Sequence, residues 1–143
     1  MDAEDLVGKL PGGQMPPCSK MLGWRYEDSD AERGWLRASY EGREEFLNPA
    51  GKVQGGILTA MLDDTMGPAV LLASKGTVYA PTININVSFL APADPGRLYA
   101  EATVTQLGRS VCFVEGRIMD AEGRVLATAT CSARITPVQR LDG

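Results

Sequence analysis

One long helical pattern stands near the middle of this chain, and everything after it alternates as strands do. Across 57–74, Leu58, Met61, Leu62, Thr65, Ala69 and Leu72 recur at spacings of three and four. That spacing predicts a helix with one wide core-facing stripe, opened by Gly55-Gly56 and bent at Gly67-Pro68. Four strand-like runs follow. Ile83, Ile85, Val87 and Phe89 alternate with Thr82, Asn84, Asn86 and Ser88, and Leu98, Ala100, Ala102 and Val104 do the same in the next run. The third, 109–119, turns through Asp120-Ala121-Glu122-Gly123 into the fourth, 124–136. The small residues Ala127, Ala129, Cys131 and Ala133 share one face of the last run, so a bulky element must sit close against it. Ahead of the helix, 34–41 reads as one further strand, with Leu36, Ala38 and Tyr40 facing inward. The expected class is α+β, an antiparallel sheet curled around one central helix.

The 143 residues suit a single domain with its own core. Its expected span is 21–138, after a flexible lead-in over 1–20, whose prolines and glycines favour a loop or short helix, and before a tail at 139–143. A formal charge of −4 argues against a broad nucleic-acid surface, which needs many cations to neutralise phosphates. Asp63, Asp64 and Pro68 interrupt the longest apolar stretch and would be costly in lipid, so no membrane partner is expected. The acidic start, Met1-Asp2-Ala3-Glu4-Asp5, points to the cytoplasm. Three cysteines, Cys18, Cys112 and Cys131, are an odd set without metal-ligand spacing and read as buried small residues.

The chain contains no histidine. Catalytic triads, imidazole zinc sites and histidine-based dehydratases are thereby excluded, and acid–base work falls first to a carboxylate. Asp63 and Asp64 stand out because they interrupt an apolar helix, where a carboxylate must be paired, buried or functional. Both lie off the core stripe, so periodicity does not choose between them. Gly55 and Gly56, opening the helix, leave backbone N–H groups uncovered at its positive end, a natural oxyanion site.

The run from Asn48 through Gln54-Gly55-Gly56 to Asp63 is similar to the phenylacetate-degradation type of hotdog-fold thioesterases. Their pattern is an asparagine, a short loop, His-Gly-Gly and a carboxylate well inside the next helix. Thr82 matches a family hydroxyl position, and Phe89-Leu90-Ala91-Pro92-Ala93 with Gly96 matches a strand end, so the likeness extends over 22–136. The resemblance implies a hotdog fold for 21–138 and hydrolysis of acyl-coenzyme A. It makes Asp63 the catalytic carboxylate and Gly55 the oxyanion donor, with Asn48, Gln54 and Thr82 beside them. Gln54 stands where the family more often has histidine; an amide can position a carbonyl but cannot take a proton near neutrality.

Asp63 lies eight residues beyond Gly55, about 12 Å along a helix axis. One helix cannot bring both to one carbonyl, whereas two helices packed antiparallel across a two-fold axis can. Composite sites follow, with Asn48, Gln54 and Gly55 of one chain facing Asp63 and Thr82 of another in a dimer or a dimer of dimers. Gly56, Arg109 and Ser110 are candidates for substrate contact, the latter two toward coenzyme A phosphates. No metal or cofactor is implied. The alternative is a non-catalytic module that binds acyl-coenzyme A.

Overall fold

The structure, a computed structural model, describes residues 3–138. The expected tail at 139–143 lies outside the described residues. Two short helices come first, α1 (Ala3–Gly8) and α2 (Pro17–Leu22), then strands β1 (Arg25–Asp30) and β2 (Trp35–Gly42) and the long helix α3 (Gly55–Ala73). After it run β3 (Val78–Tyr79), β4 (Thr82–Phe89), β5 (Gly96–Leu107), β6 (Val111–Met119), β7 (Val125–Arg134) and β8 (Thr136–Pro137).

Six strands form one antiparallel sheet in the order β1-β2-β5-β6-β7-β4, with β3 and β8 paired separately. The sheet curls around α3, which packs against β2, β4, β5, β6 and β7. This is the hotdog arrangement. Alternation in the strands determines which side chains meet the helix: Leu36, Ala38 and Tyr40 on β2, and Ala100 and Ala102 on β5, are all buried. The small face of β7 has the reason expected of it, since Ala127, Ala129, Cys131 and Ala133 lie buried under the helix. Approach is close at Gly116, where a Cβ would meet the Met66 sulfur at 3.2 Å.

Two features go beyond the pattern in the sequence. The lead-in, expected as a loop or short helix, carries two short helices, α1 and α2, and Leu6 of α1 sits in the core at 1% exposure. Pro17 in the first turn of α2, and Gly23 closing it at φ 76°, are the start and stop signals that mark this helix in the sequence. Strand β1 has no hydrophobic alternation, because as an edge strand it is held chiefly by backbone pairing with β2, with Tyr26 alone of its residues packed against the core. Helix α3 spans Pro68, as the periodicity over 57–74 predicts. Proline brings no N–H there, so the Asp64 carbonyl loses its helical donor.

Cys112 and Cys131 are buried as expected, whereas Cys18 is exposed. It is the second residue of α2, a helix of which only Ser19 and Leu22 are buried. Burial raises the Cys112 thiol above its ordinary value. Cys131 is pushed up to about 11, by burial first and then by the nearby Asp63 charge, so neither thiol is a nucleophile at neutral pH.

Candidate active site

Asp63 and Asp64 project from α3 toward the N-terminal helices. Asp63 is half-buried, and the Thr82 hydroxyl at the head of β4 donates to its Oδ1 at 2.5 Å. Asp64 is held differently. Ser19 of α2 donates from Oγ to its Oδ1 at 2.8 Å, while Oδ2 is buried with no hydrogen-bond partner. Burial lifts its carboxyl to about 6; the Ser19 bond opposes that rise and the neighbouring Asp63 charge adds to it.

Beneath the pair, Tyr40 is fully buried and its hydroxyl lies 2.7 Å from Thr65 Oγ1. Thr65 already gives its proton to the Met61 carbonyl at 2.8 Å, so Tyr40 is the donor of that pair. Burial, and then the Asp64 charge, hold the phenol well above its ordinary value.

Both carboxylates border a chamber of about 580 Å³ between α3 and the N-terminal helices. Leu6, Leu10, Met15 and Trp24 line its outer side, with Ile57, Ala60 and Leu71 of α3 on its inner side. Pro81 and Thr82 border it near Asp63. A second hollow of about 540 Å³ lies on the opposite face of the sheet, among Arg33, Trp35, Glu101 and Arg117. There Glu101 is paired with Arg37 and Arg117, which hold its carboxyl low against the effect of burial. A carboxylate so neutralised is a structural clamp.

The start of α3 is a separate constellation. Gln54 is the N-cap, and its Oε1 accepts from the Ile57 N–H at 3.1 Å. Gly56 makes room for that amide, since a Cβ on it would lie 2.7 Å from Gln54 Oε1. Gly55 is covered by the Phe89 ring, 3.1 Å from where its Cβ would stand. The N–H groups of Gly55 and Gly56 make no hydrogen bond among the described residues. Asn48 ties its own loop, its Oδ1 accepting from Ala50 N at 3.0 Å and Lys52 N at 3.1 Å.

The structure therefore brings Asp63 and Thr82 together and leaves Asn48, Gln54, Gly55 and Gly56 at the other end of the exposed helix face. Arg109 and Ser110 lie in the exposed turn between β5 and β6, where the Ser110 carbonyl accepts from Ile135 N at 2.8 Å. Neither borders the chamber. Reading from sequence did not find Ser19 or the N-terminal apolar residues, because their partners on α3 are about forty or more residues away, as Ser19 and Asp64 are.

Residues 50–127, a little over half the chain, match the thioesterase superfamily. The chain belongs to this superfamily. A candidate esterase of Saccharolobus solfataricus is 31% identical over 98 residues, covering 68% of this chain and 69% of that protein. A phenylacetic acid degradation-related protein of Ralstonia eutropha, described as a candidate thioesterase, is 37% identical with a TM-score of 0.82 over 91% of this chain and 98% of its own. A Streptococcus mutans protein solved with acetyl coenzyme A bound shares the fold at 19% identity, with a TM-score of 0.70 over 79% of this chain and 90% of that one. The thioesterase match begins two residues after Asn48 and takes in Gln54, the glycine pair, Asp63, Thr82, Arg109 and Ser110. It leaves out α1 and α2, which supply the outer wall of the chamber beside Asp63.

Proposed function

We propose that this protein hydrolyses acyl-coenzyme A thioesters to a free acid and coenzyme A. The observation that carries the reading is the Asp63 carboxylate, fixed by Thr82 at 2.5 Å, on the border of a largely apolar chamber in a thioesterase-superfamily fold. The Streptococcus mutans neighbour holds an acyl-coenzyme A, which agrees with this ligand class.

In the proposed reaction the thioester carbonyl oxygen rests on the free N–H of Gly55, where the positive end of α3 stabilises the developing oxyanion. Gln54 and Gly56 shape that helix start, and Asn48 offers its Nδ2 from the adjoining loop. Asp63 then acts by one of two routes. As general base it takes a proton from water while the water oxygen bonds to the carbonyl carbon; the C–S bond breaks and the thiolate recovers a proton. As nucleophile it forms a mixed anhydride with loss of the thiolate, and water then cleaves the anhydride. In a single turnover in ¹⁸O water, label in the Asp63 carboxyl establishes the second route, because only opening of the anhydride at the Asp63 carbonyl carbon puts it there.

Since Asp63 and Gly55 are about 12 Å apart along one helix, the proposed site is completed by a second copy of the chain. Arg109 and Ser110 remain candidates for the coenzyme A phosphates. A thiol-release assay across short, medium, long and aryl acyl-coenzyme A substrates tests the reading. Asp63→Asn should lower kcat by about 10²–10⁴-fold, the range of positioned acid–base groups. Turnover of none of these substrates, or equal rates in parent and variant, would refute it, and binding without turnover would make the protein a carrier or sensor.

A further inference from the structure

Helix α3 carries Gly67 in its interior, one turn beyond Asp63 on the same face. Glycine there is about 1 kcal/mol worse than alanine for the helix. Packing does not demand it, because a Cβ on Gly67 would meet nothing within 4 Å. The space left open belongs to the chamber, which Gly67 lines together with Ala60 and Pro68. Opposite this floor stand Leu10 and Met15, from the segment joining α1 to α2. That roof is fastened at both ends, by Leu6 in the core and by the Ser19 hydroxyl on Asp64.

We propose that the N-terminal helices and the Gly67 floor form the acyl-chain gauge of this protein, selecting apolar acyl groups of medium length over acetyl. The inference rests on the hydrolase reading for the thioester's position beside Asp63, and adds the substrate class. A volume of about 580 Å³ lies within the range of pockets that enclose small-molecule ligands. An acetyl group fills little of such a space, whereas an apolar chain of roughly six to twelve carbons reaches from the thioester along the floor to the roof, at about 1.3 Å of reach per carbon.

The test uses non-hydrolysable S-alkyl-coenzyme A thioethers of two to sixteen carbons, titrated calorimetrically into the full chain. Affinity should climb by up to about fourfold per added methylene and level off within the medium range. Gly67→Leu fills the floor with a good helix former, and Met15→Trp fills the roof. Each should move the levelling point to shorter chains, with ethyl-thioether affinity held within about twofold. A wild-type affinity that ignores chain length overturns the gauge, as does an equal loss at every length in folded variants. Chain-length dependence without hydrolysis would retain the gauge and remove the proposed activity; hydrolysis with a flat binding profile would do the reverse.

Discussion

Asp63 and Asp64 are adjacent in sequence yet differ in what their surroundings do to a charge. About 100° of helix rotation separates them, enough to give Asp63 the Thr82 hydroxyl while Asp64 turns under α2 with one oxygen unpartnered. The raised carboxyl of Asp64 has a consequence for stability. Its folded-state value near 6 exceeds the ordinary 3.8, so the folded chain binds that proton more tightly than the unfolded chain. The associated stability is fully present below about pH 4 and is lost as pH rises through about 6. The shift corresponds to roughly 2–3 kcal/mol. Asp64→Asn keeps an acceptor for Ser19 and removes the buried charge. It should raise unfolding free energy by about 1–3 kcal/mol at pH 8 and change it little at pH 4, measured by urea denaturation at both. A difference of equal size at the two pH values would show that ionisation of Asp64 is not its source. None of this was legible in the residue pattern: two acids in a row read alike until Ser19, far away in the chain, is brought to one of them.

At the scale of the element, the start of α3 shows how one local interaction imposes residue identity. Glutamine is an uncommon N-cap because its longer side chain must fold back to reach the third N–H. It fits here because Gly56 leaves the space, a contact of 2.7 Å with any Cβ being otherwise unavoidable. Gly56→Ala should therefore displace the cap and destabilise by about 1 kcal/mol. In a Gln54→Ala background the same change meets no amide, and helix propensity makes it neutral or stabilising. A double-mutant cycle by thermal unfolding should return a coupling of about 1 kcal/mol, and strict additivity would contradict the contact. Helix α3 and the later strands were visible in the sequence because each carries apolar residues at a regular period, buried in α3, β5, β6 and β7 and left largely open on β4. Strand β1 was hidden because Arg25 to Asp30 shows no apolar alternation, and α2 because its six residues show punctuation rather than periodicity.

At the scale of the whole molecule, the unfinished part of the structure is the border formed by β4 and the open face of α3. Strand β4 ends the sheet, and its run leaves Ile83, Phe89 and Leu90 more than half exposed. Alternation in the sequence correctly identified a strand there, but alternation reports which residues want cover rather than which chain supplies it. Phe89 links this border to the proposed chemistry, since its ring lies over Gly55. A second copy docked along β4 would cover the exposed apolar residues and bring one chain's helix start beside the other's Asp63. Two inactive chains test this arrangement. Asp63→Asn lacks the carboxylate. Gly55→Pro lacks the N–H while keeping a backbone suited to the first helical position, and Gly55→Ala, which retains the N–H, controls for pressure on Phe89. In a random equal mixture half the dimers are heterodimers, each with one site carrying both defects and one carrying neither. Thiol release should then recover to about a quarter of the wild-type rate. Sites built within single chains give no recovery, because every site then retains one defect.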